Sequence, residues 1–375
     1  MMNSPVSEKA MTAIYPDSQP HVVISGYYGF DNLGDELILQ VLLQELKRRQ
    51  VQITVLSGQP EKTALTYGVR ALDRKNVIDI LDCLSQATLL ISGGGGLFQD
   101  VSGPLSPFYY GGLILIAKFL KVPVLFWSQG VGPLTGAFTR LITQLALQAA
   151  DQVSVRDKQS AQIVRRLAGK MPTICADPVW LLETDGRKIN QLGATKAFYI
   201  GLSLRPCKDL TSDGLDAFVQ FCLRWVSDSS KPVRFLLLPF QNNQDEPLLK
   251  SFQAKMKAAG GDVCDWVDPA EVVTTIGQCD FLFGMRYHSL LLALLMGVPV
   301  YGLIYDPKVQ SLISSLGLQG CEVKNLEYLD EAVIHRYYQQ YPSPDIALLK
   351  EQAKISLEGL DALLDQAVQH TVFQK

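Results

Sequence analysis

The sequence predicts an α/β protein made of two Rossmann-like, doubly wound domains that face a central cleft. Its 375 residues exceed the length at which one hydrophobic core usually stops growing, so two domains are expected. Short apolar runs alternate with helical segments, which is typical of parallel sheets covered by helices on both faces. This alternation restarts near the middle of the chain.

The first domain is predicted over residues 21–190, after a disordered lead-in over residues 1–20 that has no continuous apolar run. A β-branched run at His21–Ser25 ends in Gly26, and Glu36–Arg49 then follows a helical period. The chain therefore opens with strand, loop and helix. Further strands are expected at Val51–Leu56, Thr88–Ser92, Val122–Ser128, Val153–Val155 and Thr173–Cys175.

The second domain is predicted over residues 191–343, after the polar segment Glu183–Lys196. Residues 344–375 include a long amphipathic helix that is expected to pack across both domains. Strands are expected at Ala197–Leu204, Val233–Pro239, Asp280–Gly284 and Val298–Ile304, and helices at Leu215–Val226, Leu248–Ala259 and Ser289–Met296. Ligands of doubly wound sheets bind at the carboxyl ends of the strands, so catalytic residues are expected to line the cleft from both sides.

Composition excludes several classes of function. With 34 basic and 37 acidic residues interspersed, the chain lacks the basic stripe of a nucleic-acid-binding protein. Seven scattered cysteines show no metal-ligand spacing and are expected to be reduced thiols of a cytoplasmic protein. The HExxH and GxxxxGK[ST] motifs are missing, as is a Ser/His/Asp order, so nothing supports a zinc hydrolase, kinase or protease.

Three glycine-bearing loops follow strands of the first domain. In the loop Gly26–Glu36, glycines let backbone amides approach a ligand, although a turn with Asn32 or Asp35 capping the helix remains an alternative. The loop departs from GxGxxG, so a dinucleotide site is poorly supported. Four consecutive glycines at Gly93–Gly96 carry a large entropy cost, which favours a substrate-facing loop over a tight turn. In Ser128–Pro133, Gln129 binds a hydroxyl or caps local backbone.

Four side chains form a candidate cationic group at strand ends. Arg156 follows a strand, and is either directed to the crevice or paired with Asp157 or another acid. Arg286 and His288 lie at the start of an apolar helix, where the helix dipole favours an anion, although a lone histidine is more often structural than catalytic. Lys308 follows the next strand and either reaches the same anion or is an ordinary turn lysine.

These segments resemble the polysaccharide pyruvyl transferase family, specifically its CsaB-type bacterial branch. The resemblance covers roughly residues 21–318. It is carried by Gly26–Asp35, Gly93–Asp100, Ser128–Pro133, Ser154–Asp157, Asp177–Pro178, Gly284–His288, Gly297–Pro299 and Tyr305–Lys308. It implies a GT-B-like glycosyltransferase fold and phosphoenolpyruvate as the co-substrate, with no further cofactor. No metal-ligating residues are predicted, and the participation of a divalent metal stays open. Pyruvate is then attached as a cyclic ketal to two hydroxyls of one sugar.

By the same resemblance, Arg156, His288 and Lys308 correspond to the phosphoenolpyruvate-binding positions, with Arg286 as a further contact. Guanidinium and ammonium groups suit a phosphate and a carboxylate, so Arg156 and Lys308 are assigned to that clamp. His288 is the catalytic candidate, because ketal formation needs an acid and a base near neutral pH.

The acceptor implied by the resemblance is a glycan or lipid-linked oligosaccharide precursor of a cell-wall or other cell-envelope polysaccharide. The first domain is the expected acceptor side, and the second the phosphoenolpyruvate side. The candidate acceptor residues are Asn32, Asp35, Gly94, Gly95, Asp100 and Gln129. A cytoplasmic enzyme with peripheral contact at the inner membrane face is expected. Two alternatives stay open: a nucleotide-sugar-dependent glycosyltransferase, and a catalytically silent glycan-binding or sensor module.

Overall fold

The structure is a computed structural model and describes residues 19–101, 103–184 and 197–373, with side chains up to residue 366. The predicted boundary between residues 190 and 191, and residues 1–18 of the predicted lead-in, lie outside the described residues. The chain forms two compact units. The first unit comprises the chain up to Phe30, Asp35–Leu181 and the chain from Lys350 onward, and the second comprises Asp31–Gly34 and Leu182–Leu349.

The first unit contains a parallel sheet whose described strands run in the order β3-β2-β1-β4-β6-β7-β8, with β5 paired to β6. Residues such as Val23, Leu90 and Phe126 are fully buried because helices cover the sheet. The strands are β1 (His21–Ser25), β2 (Gln52–Ser57), β3 (Arg70–Asp73), β4 (Leu89–Ser92), β5 (Gly95–Phe98), β6 (Val124–Val131), β7 (Gln152–Val155) and β8 (Thr173–Ile174).

Six helices connect these strands and a long seventh returns from the end of the chain. The connecting helices are α1 (Leu33–Arg48), α2 (Pro60–Tyr67), α3 (Val77–Ser85), α4 (Leu105–Phe119), α5 (Ala137–Ala149) and α6 (Lys158–Ala168). The side chain of Asp157 caps α6 by accepting from the amide of Ser160. The final helix, Ile346–Phe373, packs on this unit, since the indole of Trp127 donates to the carbonyl of Ser356.

The second unit contains a parallel sheet in the order β11-β10-β9-β12-β13-β14. Its strands are β9 (Phe198–Ser203), β10 (Val233–Leu237), β11 (Cys264–Trp266), β12 (Phe281–Gly284), β13 (Val300–Ile304) and β14 (Gly320–Glu322). Its helices are α7 (Ser212–Asp228), α8 (Asn242–Ala258), α9 (Val272–Ile276), α10 (Tyr287–Leu295), α11 (Pro307–Ser315) and α12 (Glu331–Gln339), which makes the final helix of the chain α13. Phe218, Phe221 and Trp225 of α7 fill its core.

Both sheets reverse their strand order once, which creates a crevice at the carboxyl ends of two neighbouring strands. In the first unit this switch point lies between β1 and β4, and in the second it lies between β9 and β12. Two parallel α/β sheets were predicted and are confirmed. None of the described helices is long and apolar enough to cross a membrane.

Several details differ from the sequence prediction. Strands β3, β11 and β14 were missed because each has only three or four residues. The predicted loop Gly93–Gly96 is wrong in its second half, because Gly95 opens strand β5. Helix α8 begins at Asn242, six residues before the predicted Leu248, because the polar segment that contains Pro247 hides its first turns.

Candidate active site

Three adjacent strand ends of the second sheet carry its cationic side chains. Strand β12 pairs with β9 on one side and with β13 on the other. Arg205 follows β9, Arg286 and His288 follow β12, and Lys308 follows β13. The predicted residues Arg286, His288 and Lys308 are thus placed at one sheet edge. Helices α10 and α11 begin there, and their N-termini add positive partial charge.

Arg286 is held in a buried ion pair. Its Nε and Nη2 atoms donate to the two carboxylate oxygens of Asp245, at 3.1 and 2.5 Å. The side chain of Asp245 is fully buried and also accepts from the amides of Phe240 and Gln241. A bidentate pair of this kind fixes the guanidinium and compensates its charge. Arg286 therefore ties the start of α10 to the first turn of α8.

His288 lies in the first turn of α10 and packs against a glycine of the first glycine loop. A Cβ atom added to Gly34 would lie 2.2 Å from Nδ1 of His288, so this position tolerates no side chain while the ring stays in place. Asn32 accepts from the amide of Gly34 and forms a β-bridge with Gln241. The segment Asp31–Gly34 thus belongs to the second unit, where it positions the imidazole.

Lys308 lies in the first turn of α11, which Asp306 caps by accepting from the amide of Lys308. The Nζ atom lies 3.9 Å from a carboxylate oxygen of Asp306, and the lysine side chain is 43% exposed. An ion pair that long and that exposed contributes little. Asp306 therefore holds the ammonium only weakly.

Sequence reasoning missed Arg205 and Tyr305. Arg205 lies two residues beyond β9, and its Nη1 atom donates to the hydroxyl of Tyr305 at 2.8 Å. The guanidinium carbon lies 4.8 Å from the centre of the Tyr305 ring. Burial raises the pKa of Tyr305 although Arg205 and Arg286 oppose it. The strand-end rule that identified Arg156 could also have found Arg205.

The carboxyl edge of the first sheet is lined by neutral polar groups around β1, β4 and β6. Gln129 is fully buried, and its Nε2 atom donates to the carbonyl and hydroxyl oxygens of Ser92. These hydrogen bonds favour the interpretation that Gln129 caps local backbone and does not bind a ligand hydroxyl. Within the described residues, the hydroxyls of Ser25 and Tyr28 and the Oε1 atom of Gln129 are buried without a hydrogen-bond partner.

The run of glycines at this edge is required by close packing. A Cβ atom on Gly93 would lie 2.1 Å from the Tyr28 hydroxyl. One on Gly94 would lie 2.9 Å from Ile38, and one on Gly95, whose φ is +98°, would lie 2.6 Å from a carboxylate oxygen of Asp35. Helix α1 thus packs directly on these backbones. Gly94, Gly95 and Asp35 are brought together, as part of one packed turn.

Asp100 has a structural role apart from that group. Its carboxylate accepts from the amides of Thr135 and Gly136 and from the hydroxyl of Thr139, at 2.7 to 3.2 Å. It therefore holds the turn that leads into α5 and the Thr139 hydroxyl in the first turn of that helix. Burial alone would raise the pKa of Asp100, but these hydrogen bonds lower it below its usual value.

Arg156 also forms an ion pair, but its partner is the buried Asp177 and not Asp157 or another surface acid. Its Nη1 atom lies 3.0 Å from a carboxylate oxygen of Asp177, and both side chains are almost fully buried. A Cβ atom on Gly130 would lie 2.9 Å from the guanidinium. Arg156 is therefore packed into the carboxyl edge of the first sheet. The described residues contain no group of three or more His, Cys, Asp or Glu side chains that could hold a metal ion.

Two Rossmann-like parallel sheets follow one another along the chain, and this fold is similar to that of solved glycosyltransferase and UDP-GlcNAc 2-epimerase structures. The chain belongs to the polysaccharide pyruvyl transferase family, whose family model matches residues 32–307. No curated protein matches the sequence closely enough to add to this. The CsaB-type branch stays a prediction.

Solved structures with the same fold are distant in sequence. The UDP-GlcNAc 2-epimerase from Methanocaldococcus jannaschii is similar at a TM-score of 0.61 and 12% identity, over 92% of this chain and 99% of that one. S. aureus MnaA with UDP is similar at 0.59 and 13% identity, over 89% and 94%. Anabaena HepE with UDP-glucose is similar at 0.55 and 12% identity, over 95% and 100%. At such identities these similarities establish the fold alone.

Proposed function

We propose that this protein transfers the pyruvyl group of phosphoenolpyruvate to a sugar of a cell-envelope polysaccharide precursor. Two hydroxyls of that sugar become a cyclic ketal, and phosphate is released. Family membership supports the transfer of a pyruvyl group. The observation that supports the donor is the edge formed by β9, β12 and β13, where Arg205, His288 and Lys308 follow three adjacent strands.

An anion at this edge would meet complementary groups. Phosphoenolpyruvate carries a phosphate and a carboxylate, and charge-assisted hydrogen bonds hold such groups most strongly. Lys308 and the N-termini of α10 and α11 suit the phosphate. Arg286 is occupied by Asp245, so we assign it a positioning role for His288. Arg156 remains a proposed donor-binding residue of the first unit, with its pairing to Asp177 setting its orientation.

The proposed chemistry requires one acid and one base, and His288 can serve as both in turn. The imidazolium donates a proton to the methylene carbon of phosphoenolpyruvate, which becomes a methyl group. One sugar hydroxyl bonds to the central carbon, and its proton leaves on the phosphate as the carbon–oxygen bond to phosphate breaks. The second hydroxyl then bonds to the same carbon and gives its proton to the neutral imidazole. Nearby cations stabilise the negative charge on the departing phosphate.

For the acceptor we propose the carboxyl edge of the first sheet. The buried hydroxyls of Ser25 and Tyr28 and the nearby carboxylate of Asp35 can hydrogen-bond a hydroxyl-rich ligand. Asp35 stays a proposed acceptor contact at this edge, and Asn32, which belongs to the second unit, stays a separate proposed contact. We do not assign Asp100 and Gln129 to the acceptor, because their hydrogen bonds are made within the protein.

An exposed apolar surface supports a lipid-linked acceptor. Helices α4 and α5 pack side by side, with Gly111 against Ile142. Their outward residues Leu105, Phe108, Phe119, Phe138, Leu141 and Leu145 are between 42% and 86% exposed. Neither helix contains an acidic residue, whereas Arg140 is exposed beside Leu141. A face that is apolar and free of acids fits an anionic bilayer, so we propose peripheral binding to the inner membrane face through α4 and α5.

Phosphate release tests the donor directly. Purified protein is incubated with phosphoenolpyruvate and a panel of free or lipid-linked amino-sugar oligosaccharides, and released phosphate is measured. We expect release that depends on one acceptor. If the protein consumes nucleotide sugars in the presence of the same acceptors and releases no phosphate from phosphoenolpyruvate, it is a glycosyltransferase with the same fold. Binding of a glycan with neither donor consumed would indicate a glycan-binding module.

A further inference from the structure

Arg205 occupies the switch point of the second sheet. It follows β9, which pairs with β10 on one side and with β12 on the other, where the strand order reverses. The amide of Arg205 donates to the sulfur of Met285, which follows β12. The two strand ends that border the crevice are therefore linked at this residue. Side chains here face the position where doubly wound folds bind ligands.

The charge of Arg205 has no acidic partner among the described residues. Two other arginines that follow strands are compensated, Arg156 by Asp177 and Arg286 by Asp245. Arg205 is half-buried, and its Nε atom is shielded from solvent without an acceptor. A guanidinium withdrawn from water needs an anion or hydrogen-bond acceptors. The described residues supply one acceptor, the Tyr305 hydroxyl.

Tyr305 leaves one edge of this guanidinium for a ligand. The hydrogen bond to Tyr305 uses Nη1, and the ring contact supports the plane of the group. The Nε and Nη2 atoms, which point the same way, form the edge that binds carboxylates in a bidentate manner. Because one hydrogen bond and one ring hold the side chain, an arriving ligand can turn it until this edge meets the acceptor.

Resting on the proposed function, we infer that Arg205 binds the carboxylate of phosphoenolpyruvate through Nε and Nη2, with Tyr305 as its positioning residue. The planar carboxylate matches this edge, whereas Lys308 provides a point charge for the phosphate. The division explains why the edge contains a planar guanidinium beside the point charge of an ammonium. The buried hydroxyl of Ser203, which also has no partner in the described part of the chain, lies at the end of the same strand.

Direct binding tests this assignment without an acceptor. Titration calorimetry on the full chain measures the affinity for phosphoenolpyruvate and, separately, for inorganic phosphate. Loss of a bidentate charged contact should weaken phosphoenolpyruvate binding about tenfold or more in Arg205→Gln, with phosphate affinity changed by less than about twofold. Arg205→Lys should be intermediate, because it keeps the charge and loses the edge. Tyr305→Phe should weaken only phosphoenolpyruvate binding. The matched control is Arg336→Gln, an exposed arginine of α12.

The outcomes distinguish failure of the Arg205 assignment from failure of the proposed function. Unchanged phosphoenolpyruvate affinity in both Arg205 variants would overturn the role of Arg205 while leaving the proposed function intact. Equal weakening for phosphoenolpyruvate and phosphate would place the residue on the phosphate and refute the carboxylate assignment. A wild-type protein that binds neither phosphoenolpyruvate nor phosphate would refute the proposed function itself. Circular dichroism on each variant shows whether it is folded, so that unfolding is distinguished from loss of binding. The Tyr305→Phe variant tests the same site with Arg205 retained.

Discussion

The carboxyl edges of the two sheets share a topology and differ in chemistry. In the first unit, the switch point is bordered by Ser25, Tyr28 and the packed glycines after β4. In the second, it is bordered by Arg205 and by the segment that carries His288. Each edge also contains one buried arginine–aspartate pair. The same topology thus presents hydroxyls and the carboxylate of Asp35 in the first unit and a cationic edge in the second. The difference indicates which half of a reaction each unit can serve.

The largest expected effect comes from the cationic edge. His288→Asn removes the group that transfers protons while keeping a side chain of similar size. We expect acceptor-dependent phosphate release to fall by about 10²- to 10⁴-fold, with phosphoenolpyruvate affinity reduced far less. Initial rates over a range of donor concentrations give both values. A rate within a few-fold of wild type would assign the acid and base roles to other groups.

Replacing either buried aspartate tests the similarity of the edges. Asp245→Ala and Asp177→Ala each leave a buried guanidinium without its carboxylate, and each should lower the free energy of unfolding by about 3–5 kcal/mol. Denaturant unfolding followed by tryptophan fluorescence measures this loss. The control Asp216→Ala breaks an exposed pair with Lys255 and should cost no more than about 1 kcal/mol. A small loss in Asp245→Ala would mean that Arg286 is available to a ligand after all.

Gly34 lies in the first glycine loop, but it packs against His288 at the cationic edge of the second unit. In Gly34→Ala the new methyl group must displace the His288 ring, since they would lie 2.2 Å apart. Misplacing a catalytic group by about 1 Å can cost up to about 100-fold in rate, and we expect at least a tenfold loss by that reasoning. Gly112→Ala, whose added Cβ atom meets nothing within 4 Å, should keep full activity. Equal rates in the two variants would contradict the positioning role.

The exposed apolar face extends the comparison to the surface of the first unit. Replacing Phe108 and Phe138 by serine removes two exposed rings that would enter the bilayer. Co-sedimentation with vesicles containing anionic phospholipid should fall several-fold in this double variant, while phosphate release with a soluble acceptor stays unchanged. The exposed Val333→Ser on α12 is the matched control. Wild-type protein that stays in the supernatant, or self-associates through this face, would contradict membrane docking.

The smallest effect is expected at Asp100, where the sequence favoured a ligand and the structure has a carboxylate that holds a turn. Asp100→Ala should lower stability by about 1 kcal/mol at neutral pH without changing acceptor affinity. Because its folded-state pKa is lowered, the contribution of Asp100 is present above its unfolded pKa, about 3.9, and is lost as pH falls through the folded value. The difference between wild type and variant should therefore shrink under acid conditions. A large rise in acceptor KM would restore Asp100 as a ligand.

The fold and the location of the cations were predictable because both follow from local pattern. Alternating strands and helices predict parallel sheets, and residues after strands must lie at the carboxyl edge. This reasoning placed Arg286, His288 and Lys308 correctly on one edge of the second unit. It also explains why Arg205 could have been identified, since it follows β9 in the same way.

Charge compensation and glycine packing could not be predicted. Asp245 and Asp177 lie 41 and 21 residues from the arginines that they neutralise, and no local pattern links them. The glycines after β4 were interpreted as a substrate loop, whereas Tyr28, Ile38 and Asp35 occupy the space that side chains would need. Such contacts depend on how a helix packs on a strand, which a single sequence does not specify.

The identity of the transferred group is the most direct test of the account. Phosphoenolpyruvate carrying a heavy-carbon label at its central carbon is incubated with protein and the acceptor found by phosphate release, and the product is analysed by mass and carbon NMR. We predict a product heavier by one pyruvate less one water, with the label in a ketal carbon bonded to two sugar oxygens. An unlabelled product, or one that gains a sugar from a nucleotide donor, would contradict pyruvyl transfer.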